Sequence, residues 1–462
     1  LFRLNGMAIV EDFACTLCSC VCDDLRLTVD GDRIVRAERA CCLAEPWLLS
    51  QDSRQPPIAR IDGQPVELTT ALARAADLLA GARYPLIFGL SQSSTPGQRA
   101  AVSLADAIGA TIDTTASRGH GPSIMAVQQA GESTCSLGEV KNRCDLVIFW
   151  GCNPVETHPR HLERYSADCA GLFVPGGRND RTLAVVDVTE TATSQKADVL
   201  LKVEPGGDFE LLWALRALVR GQQLDGETFG GVPRADVEDL WRRMRDCRSG
   251  VIFFGFGLAR QPVANLTIQA LLQLVTDLND VTRFYARRLR GSGDVTGADS
   301  VLAWQTGYPF SVNLSRGYPR YGPGEFSAND MFERGEPDVC LFVGSRGARR
   351  FTAQATAHLS QIPTIVLDPP QAEPSFRPTV QFTTSVYGIH QPGTAYRMDE
   401  IPIPLRAVLP ARYPSDAEVL TKLEQSLDSI ARGARGSRLN RPSLHDKAGP
   451  RIKKVSRPTG PY

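Results

Sequence analysis

Short runs of apolar residues alternate with amphipathic segments along most of the chain beyond residue 65. Each run is apolar at almost every position and ends in glycine or aspartate, a pattern typical of parallel strands buried on both faces. The segments between the runs repeat their apolar residues with the helical period. The predicted strands lie near 85–89, 111–113, 145–150, 183–188, 251–255, 339–344 and 362–368, and the predicted helices near 68–79, 97–108, 209–219, 263–279 and 352–359. This alternation predicts an α/β fold with parallel sheets.

Several predicted strands end in a glycine-containing turn, as in the segments 149–153, 254–257 and 342–346. Glycine at the carboxyl end of a strand lets the backbone approach a phosphate or a pterin closely. A repeated set of such ends predicts two related α/β lobes that face one cleft. The predicted organisation is a cysteine-rich region over 1–65, a first α/β lobe over 66–250, a second over 251–410, a C-terminal helix over 411–431 and an extended basic tail over 432–462.

The charge of the chain is balanced, with 51 lysine and arginine residues against 51 aspartate and glutamate residues in 462. A neutral total gives no electrostatic argument for nucleic acid or a membrane as a partner, so we expect neither. The longest apolar runs, such as 250–259, are well short of the ~18 residues that a membrane helix requires. Residues 1–13 lack the apolar core and the cleavage site of a secretory signal. These features predict a soluble, cytoplasmic protein.

Cysteines are concentrated at the start of the chain, where six of the twelve lie within the first 42 residues. Without a secretory signal, a dense block of cysteines predicts a metal or cluster site before it predicts disulfides. The spacing Cys15-x2-Cys18-x3-Cys22, followed by Cys41 or Cys42, is typical of a 4Fe–4S cluster, which three thiolates on one loop and a distant fourth can hold. Zinc remains an alternative metal. An inherited site that has lost its cluster is a further alternative.

Three other short segments contain candidate ligands for a cofactor. A glycine-rich loop at 118–123 includes His120, the segment 150–154 ends a predicted strand, and the turn 206–208 starts a predicted helix. The last of these could hold the polar edge of a nucleotide. Each segment also has an ordinary structural explanation, as a hydrogen-bonding histidine, a tight turn or a helix N-cap. The sequence contains no nucleophile elbow, zinc-protease motif or P-loop.

Several unusual sequence motifs follow one another along the chain. They are the cysteine spacing with Asp23-Asp24, then His120-Gly-Pro-Ser123, Gly138-Glu-Val-Lys-Asn142, Trp150-Gly-Cys-Asn-Pro154, Val295-Thr-Gly297, Trp304-Gln-Thr-Gly-Tyr-Pro309, Ser315-Arg-Gly-Tyr-Pro-Arg320 and Gly393-Thr-Ala-Tyr-Arg-Met398. Together they resemble the B subunit of formylmethanofuran dehydrogenase, over roughly residues 15–427. That family belongs to the molybdopterin oxidoreductases. The resemblance implies several Rossmann-like parallel-sheet lobes and a small cysteine-rich N-terminal region.

The redox-active members of this family hold a 4Fe–4S cluster and a tungsten or molybdenum bis-pterin, and they reduce CO2 to formate. The resemblance assigns His120 and Arg290 to a polar pair beside the metal, where they would orient formate or carry a proton. In those members the metal is ligated by a cysteine directly before the His-Gly-Pro-Ser motif, and the residue at that position of this chain is Gly119. The remaining assignments are Cys15, Cys18, Cys22 and Cys41 to the cluster, and Gly119, Gly151, Cys152, Asn153, Gly206, Gly207 and Asp208 to pterin contacts.

Gly119 decides the interpretation, because glycine has no donor atom for a metal. The family has a non-redox branch, the formyltransferase/hydrolase complex of methylotrophic bacteria, and the chain most resembles the B subunit of that complex. This resemblance implies a structural subunit of tetrahydromethanopterin-linked one-carbon metabolism that assembles with hydrolase (A), formyltransferase (D) and C subunits. A methanofuran-type carrier on a partner subunit receives the formyl group, and the hydrolase subunit releases formate. A functional tungsten or molybdenum bis-pterin is not expected, and its inherited site residues would be vestigial.

Two alternatives stay open at this point. The chain could be the B subunit of an active formylmethanofuran dehydrogenase, in which Cys152 or a water completes the metal sphere. It could also be an iron–sulfur module for electron transfer or redox sensing that lacks pterin. Bound pterin dinucleotide would identify the first, and a stable 4Fe–4S cluster without pterin the second.

Overall fold

The computed structural model describes residues 2–4 and 7–439, with side chains described over 7–432. The strands are β1 (Phe2–Leu4), β2 (Met7–Phe13), β3 (Leu25–Asp30), β4 (Arg33–Glu38), β5 (Ala59–Ile61), β6 (Gln64–Val66), β7 (Pro85–Gly89), β8 (Thr111–Thr114), β9 (Leu146–Trp150), β10 (Thr182–Asp187), β11 (Val199–Lys202), β12 (Thr228–Phe229), β13 (Val232–Pro233), β14 (Ser249–Phe254), β15 (Arg283–Arg288), β16 (Val312–Asn313), β17 (Arg320–Tyr321), β18 (Val339–Val343), β19 (Thr364–Asp368), β20 (Val380–Thr383), β21 (Gly393–Tyr396) and β22 (Pro402–Leu405).

The helices are α1 (Ala44–Leu49), α2 (Leu68–Gly81), α3 (Thr95–Ile108), α4 (Ser117–Ala130), α5 (Leu137–Arg143), α6 (Pro154–Thr157), α7 (His161–Tyr165), α8 (Asp208–Val219), α9 (Arg234–Asp246), α10 (Phe256–Ala259), α11 (Ala264–Leu278), α12 (Val295–Thr306), α13 (Ala328–Glu333), α14 (Ala353–Leu359) and α15 (Asp416–Leu439). The strands and helices predicted for the α/β part all occur, within a few residues of their predicted bounds. The predicted α/β class with parallel sheets is confirmed.

The larger sheet has nine strands in the order β17-β16-β8-β7-β18-β19-β20-β5-β6. The central strands from β8 to β20 pair in parallel, and the two strands at each end are antiparallel. β7, β18 and β19 are buried at every position, as their uninterrupted apolar sequences predict. Helices α2, α3, α12 and α15 pack on one face, and α13 and α14 pack on the other.

The smaller sheet has five parallel strands in the order β11-β10-β9-β14-β15. Helices α4, α8, α9 and α11 cover one of its faces. The other face packs against α5, α7 and the cysteine-rich region, with Phe149 and Phe253 at the centre of that contact. The cysteine-rich region is therefore anchored directly on the second sheet.

The two sheets do not correspond to two consecutive lobes. The nine-stranded sheet takes strands from 59–66, 85–114 and 312–383, and the five-stranded sheet takes strands from 146–202 and 249–288. The predicted division at residue 250 is therefore corrected, because the chain leaves the first sheet, builds the second and then returns. Buried strands look alike in sequence, so the apolar pattern locates them without specifying their neighbours. The predicted boundary at residue 65 also shifts, because β5 and β6 belong to the larger sheet.

Both ends of the chain add smaller elements. The N-terminal region is a four-stranded antiparallel sheet, β1 to β4, whose β2–β3 loop carries the first cysteines. At the other end, α15 continues to Leu439, beyond the predicted end at 431, and packs on α2 and α3. The rest of the predicted basic tail, 440–462, lies outside the described residues. None of the described helices has the length and apolarity needed to cross a membrane.

Asp294 joins three elements of the larger lobe. Its carboxylate accepts hydrogen bonds from the N–H of Gly297 in α12 (2.8 Å) and of Tyr396 in β21 (2.9 Å). The side-chain amide of Gln98 in α3 donates a third, at 3.1 Å. Asp294 is 1% exposed, and burial raises its pKa to about 7, with the charge of Asp299 adding to the increase.

This pKa predicts a specific pH dependence of stability. An unfolded aspartate loses its proton near pH 4, whereas folded Asp294 keeps it until about pH 7, so its stabilising contribution is complete below pH 4 and lost by pH 7. The loss is about 1.4 kcal/mol for each unit of pKa difference. We expect Asp294→Asn to unfold at lower denaturant at both pH 5 and pH 8, but with a smaller difference between them than wild type. Asp106→Asn, exposed on α3, should keep the wild-type difference; an unchanged difference in Asp294→Asn would contradict the assignment.

Candidate functional site

Four of the predicted cluster ligands line one small apolar cavity. Cys15, Cys18 and Cys22 come from the β2–β3 loop, and Cys41 follows β4. The loop is tight, since the N–H of Cys15 donates to the carbonyl of Cys22 at 2.9 Å. The rest of the lining is Leu17, Leu25, Leu43, Ala44 and Arg160. The structure thus places these four cysteines around one cavity.

The same geometry separates the two candidates for the fourth ligand. Cys41 lines the cavity, whereas Cys42 is exposed and lines only a shallow depression on the outer surface. Cys20 is buried, and its thiol lies near those of Cys18 and Cys22, but it is not part of the cavity lining. The cavity therefore favours Cys41 as the fourth ligand.

The donor set suits an iron–sulfur cluster. Burial and the neighbouring thiols raise the pKa of Cys15 and of Cys41. Bound metal would reverse that effect, because cations stabilise thiolates and metal binding releases their protons. Arg160 also lines the cavity, and its guanidinium is paired with the carboxylates of Asp24 and Glu163.

The two histidines that follow the Trp150-Gly-Cys-Asn-Pro154 motif have structural roles. His158 Nε2 is 3.1 Å from the hydroxyl of Ser19, and His161 Nδ1 is 3.1 Å from the hydroxyl of Ser166. Burial lowers the pKa of His158 to about 4 and that of His161 to about 3, so both rings are neutral. Among residues 7–432 no group of three or more His, Cys, Asp or Glu side chains is arranged to hold a single metal ion.

Gly119 lies at the start of α4, and an aromatic ring fills the space in front of it. A Cβ atom placed at Gly119 would overlap the edge of the Phe256 ring, whose Cζ would lie 2.6 Å away. Phe256 belongs to α10, which follows β14 of the smaller sheet, whereas α4 follows β8 of the larger sheet. Helix α4, which the chain enters from the larger sheet, thus contacts α10, which follows the smaller sheet, at the position where the family resemblance expects a metal-ligating thiolate.

This contact gives a measurable coupling. Gly119→Ala should lower stability in the wild-type chain, since overpacking costs about 1–3 kcal/mol, partly offset by about 1 kcal/mol of helix propensity. In the Phe256→Ala background the same substitution should be stabilising. A double-mutant cycle of denaturant unfolding should therefore give a coupling of at least about 1 kcal/mol. Additive effects would show that the ring does not occupy this space.

His120 and Arg290 are both buried, and they lie near enough for the charge of Arg290 to act on the His120 ring. His120 is 3% exposed, its Nε2 has no hydrogen-bond partner among the described residues, and its ring centroid is 5.6 Å from that of Phe256. Burial and the charges of Arg290, Arg288 and Arg350 lower the pKa of His120, so the imidazole is neutral. The neutral ring can donate or accept one hydrogen bond at Nε2, and His120 is among the residues that line the second cavity of the site.

Arg290 forms a buried ion pair. Its Nη1 donates to Asp299 Oδ2 at 2.5 Å, and both side chains are 4% exposed. The second oxygen of Asp299 accepts from the hydroxyl of Thr114 at 2.9 Å. The charge of Arg290 is thus matched inside the protein.

The residues of the segment 151–153 pack against, or accept hydrogen bonds from, other residues of this chain. Gly151 has φ +58°, and a Cβ at Gly257 would lie 2.6 Å from the Cα of Gly151, so the two turns pack backbone to backbone. Asn153 Oδ1 accepts from both the N–H and the hydroxyl of Thr193, at 3.2 and 2.7 Å. Burial raises the pKa of Cys152, which lines neither cavity next to Gly119.

The turn 206–208 is engaged in the same way. Gly206 has φ +87°, and a Cβ at Gly207 would lie 2.6 Å from the Cα of Gly230, in the turn between β12 and β13. Asp208 is 3% exposed and accepts hydrogen bonds from Trp150 Nε1, at 2.6 Å, and from the side-chain amide of Gln261. Packing and hydrogen bonds around the smaller sheet therefore account for the two glycines and the aspartate of this turn.

Three adjoining cavities form a cleft along the carboxyl ends of β7, β8, β18 and β19. Their volumes are about 280, 290 and 550 Å³. The first lies beside Asp368, the second beside His120 and the third beside Gly119, and Arg349 lines all three. The first also borders the cysteine loop, because Leu17 lines both it and the cysteine cavity. The cleft is the candidate functional site, in the place where α/β sheets bind ligands.

The cleft contains residues that the sequence pattern does not predict. Five exposed arginines line it: Arg118, Arg260, Arg346, Arg349 and Arg350. The only sequence signal for them is the arginine-rich run 345–350 directly after a strand that ends in glycine. Phe256 gives no such signal, because its effect depends on its contact with a distant helix.

Known proteins of similar sequence identify the family. The chain is 40% identical over 421 residues to the B subunit of the tungsten-containing formylmethanofuran dehydrogenase 2 of Methanocaldococcus jannaschii, covering 89% of this chain and 97% of the relative. The corresponding protein of Methanococcus maripaludis is 36% identical over 433 residues, covering 92% of this chain and 100% of the relative. The B subunit of the formyltransferase/hydrolase complex Fhc of Methylorubrum extorquens is 28% identical over 299 residues, covering 63% and 76%. No protein-family model matches the chain.

Solved structures agree with these relatives. A chain of the formyltransferase/hydrolase complex FhcABCD from Methylorubrum extorquens, solved with methylofuran, superposes with a TM-score of 0.67 at 26% identity, over 81% of this chain and 99% of that one. Acetylene hydratase from Pelobacter acetylenicus superposes with a TM-score of 0.61 at 11% identity, over 91% and 69%, which shows a shared fold alone. Fold and site define an α/β protein with a cysteine cavity beside a cleft at the carboxyl ends of parallel strands. The chain belongs to the family of formylmethanofuran dehydrogenase B subunits.

Proposed function

We propose that this chain is the non-redox, structural B subunit of a cytoplasmic formyltransferase/hydrolase complex, with a fold of the molybdopterin oxidoreductase type. The contact between Gly119 and Phe256 carries the proposal. Gly119 offers no donor atom to a tungsten or molybdenum ion, and the ring of Phe256 occupies the space in front of it. The residues present at this position therefore do not fit a thiolate-ligated metal.

The other positions expected to contact a pterin dinucleotide support the same proposal. Asn153 and Asp208 use their oxygens within the chain, and Gly151 and Gly207 are packed against other turns. Cys152 does not line the cleft beside Gly119, which argues against Cys152 as a substitute metal ligand. The site is therefore proposed to be vestigial for metal chemistry.

In the proposed complex the reactions belong to partner subunits. Formyl-tetrahydromethanopterin gives its formyl group to a methanofuran-type carrier on the formyltransferase (D) subunit, and the hydrolase (A) subunit releases formate. This chain and the C subunit would hold the two active subunits in one assembly. The similarity to the Methylorubrum complex that was solved with methylofuran supports this context.

The cysteine cavity is proposed to hold a 4Fe–4S cluster on Cys15, Cys18, Cys22 and Cys41. The cavity is apolar and the four thiols converge on it from two segments of the chain. Such a cluster supplies one-electron transfer when bound. In a subunit without redox chemistry, its contribution would be to join the β2–β3 loop to the segment after β4.

The B subunit of an active formylmethanofuran dehydrogenase is the second candidate function. Sequence identity favours it, because the chain is 40% and 36% identical to two tungsten-containing dehydrogenase subunits and 28% identical to the Methylorubrum subunit. The retained polar pair of His120 and Arg290 is consistent with it. Its difficulty is the missing thiolate at Gly119.

Elemental analysis of the purified complex, together with an assay of formate oxidation with an artificial electron acceptor, tests the proposal. We expect iron but neither tungsten nor molybdenum at more than trace levels per copy of this chain, and no formate oxidation. The matched control is a tungsten-containing dehydrogenase complex purified and assayed alongside, which should give both signals. Tungsten or molybdenum near one per chain, with formate oxidation, would establish the second candidate instead.

A further inference from the structure

The arginines of the cleft lack partners of opposite charge. None of Arg118, Arg260, Arg346, Arg349 and Arg350 forms an ion pair with a carboxylate among the described residues. Arg349 donates only to the backbone carbonyl of Glu373, and Arg118 to a backbone carbonyl and to the amide oxygen of Asn329. Five arginines without a paired carboxylate thus line one cleft in a chain whose total charge is zero.

These charges repel one another. Arg260 and Arg350 both place their guanidinium carbon 5.3 Å from the centroid of the Phe256 ring, so one ring carries two cations. Burial and the charges of Arg260 and Arg346 lower the pKa of Arg350. Like charges gathered in a cleft are unfavourable until an anion enters, and they attract one strongly.

A buried polar atom points to the same occupant. His120 lines the second cavity, its buried Nε2 has no hydrogen-bond partner among the described residues, and the neutral ring can donate one hydrogen bond to an anion. An occupant that accepts hydrogen bonds would satisfy His120 and the arginines together.

The groups that would recognise a nucleotide are already used. Both oxygens of Asp368 accept from Ser345, and the oxygens of Asp208 and Asn153 are engaged as described above. The carboxylates of Glu373 and Asp416 also line the cleft, but Glu373 pairs with Arg54 and Asp416 accepts from Ser93. The charged groups of the cleft that keep no counter-charge among the described residues are therefore cations, which select charge rather than a base or a ribose. Guanidinium groups pair with carboxylates and with phosphates in bidentate geometry. The three adjoining cavities share Arg349, so one chain that carries several carboxylates could reach arginines in all three.

We infer that the cleft receives an acidic polypeptide segment of a partner subunit, whose Asp or Glu side chains pair with Arg260, Arg346, Arg349 and Arg350. The assignment to a partner subunit rests on the proposed structural function. Phe256 and Phe351 supply apolar contact on the wall of the third cavity. The space of a lost metal site thereby becomes a docking groove.

Binding to the full chain tests this assignment. Fluorescence anisotropy of a labelled hexaglutamate peptide should show saturable binding that weakens as salt rises. The variant Arg346→Gln/Arg350→Gln should bind at least tenfold more weakly, since hydrogen bonds to charged groups are among the stronger ones. Arg260→Gln gives an independent variant, and Arg245→Gln, exposed on α9, is the matched control that should bind like wild type.

The competing ligands make the outcome decisive. GDP and pyrophosphate should not displace the peptide; displacement by GDP at lower concentration than by free glutamate peptide would overturn the assignment in favour of a nucleotide site. Absence of peptide binding, or an equal loss in Arg245→Gln, would also overturn it. In the assembled complex, a photo-crosslinking residue at position 351 should capture an Asp- or Glu-rich segment of a partner. The metal analysis is independent of these results, so either proposal can fail alone.

Discussion

Changing Cys41 to serine is expected to reduce the iron bound after anaerobic reconstitution from about four atoms per chain to less than about one. Cys41 lines the apolar cavity with Cys15, Cys18 and Cys22, and it is the only one of the four that comes from outside the β2–β3 loop. Without its thiolate, three ligands on one loop leave one iron of the cube open to solvent. Iron and acid-labile sulfide are measured together with the visible absorption of the cluster.

Cys42 provides a control at the neighbouring position. Its side chain is exposed and lies outside the cavity, so Cys42→Ser should keep the full iron content. Cys247→Ala removes a cysteine far along the chain and should also leave the iron unchanged. If Cys42→Ser loses the cluster and Cys41→Ser keeps it, the fourth ligand has been assigned to the wrong residue. If neither substitution matters, the cavity does not hold the cluster.

The choice between Cys41 and Cys42 shows where sequence reasoning ends. The spacing of the first three cysteines follows from their chemistry, because one short loop can present three thiolates to a cluster. Two adjacent cysteines are equivalent in spacing, and only the direction of the backbone after β4 distinguishes them. That direction is set by α1, whose first N–H groups bond to the carbonyl of Cys41.

The fold shows a similar limit. The apolar runs of β7, β9, β14 and β18 locate each strand closely, because a strand buried on both faces is apolar throughout. The neighbours of these strands in the sheets cannot be predicted from the apolar pattern in the same way. β7 pairs with β18 and β9 pairs with β14, and each pair is separated by a long stretch of chain that builds other elements. Sheet order depends on packing between helices and sheets, which no single segment encodes.

The candidate site follows the same rule. Gly119 and His120 belong to a motif of the family, and the family resemblance predicts that a metal-ligating thiolate is missing at Gly119. Phe256 lies far from Gly119 along the chain. Its ring occupies the space in front of Gly119 only because α4 and α10 are in contact in the folded protein. The arginines of the cleft are likewise ordinary surface residues in sequence, and their lack of counter-charges is a property of the assembled fold.

Asp299→Ala is expected to lower the free energy of unfolding by about 3–5 kcal/mol, the largest stability effect predicted for this chain. The substitution leaves the guanidinium of Arg290 buried at 4% exposure without its carboxylate, and it also removes the acceptor of the Thr114 hydroxyl. Asp299→Asn should cost less, because the amide oxygen can still accept one of these hydrogen bonds. Denaturant unfolding of the full chain measures both, and Asp246→Ala, in an exposed ion pair on α9, is the control that should leave the midpoint unchanged.

A second substitution separates the structural role of this pair from a chemical one. Replacing both partners, as Arg290→Met/Asp299→Leu, removes the uncompensated charge and should recover most of the lost stability, because apolar residues of similar volume can replace a buried ion pair at little cost. In a non-redox subunit this double variant should also still assemble with its partners and support release of formate by the complex. In an active dehydrogenase it should fold yet abolish formate oxidation, because Arg290 would then act beside the metal. A double variant that remains as unstable as Asp299→Ala would show that the charge of Arg290 is not what makes the loss of Asp299 costly.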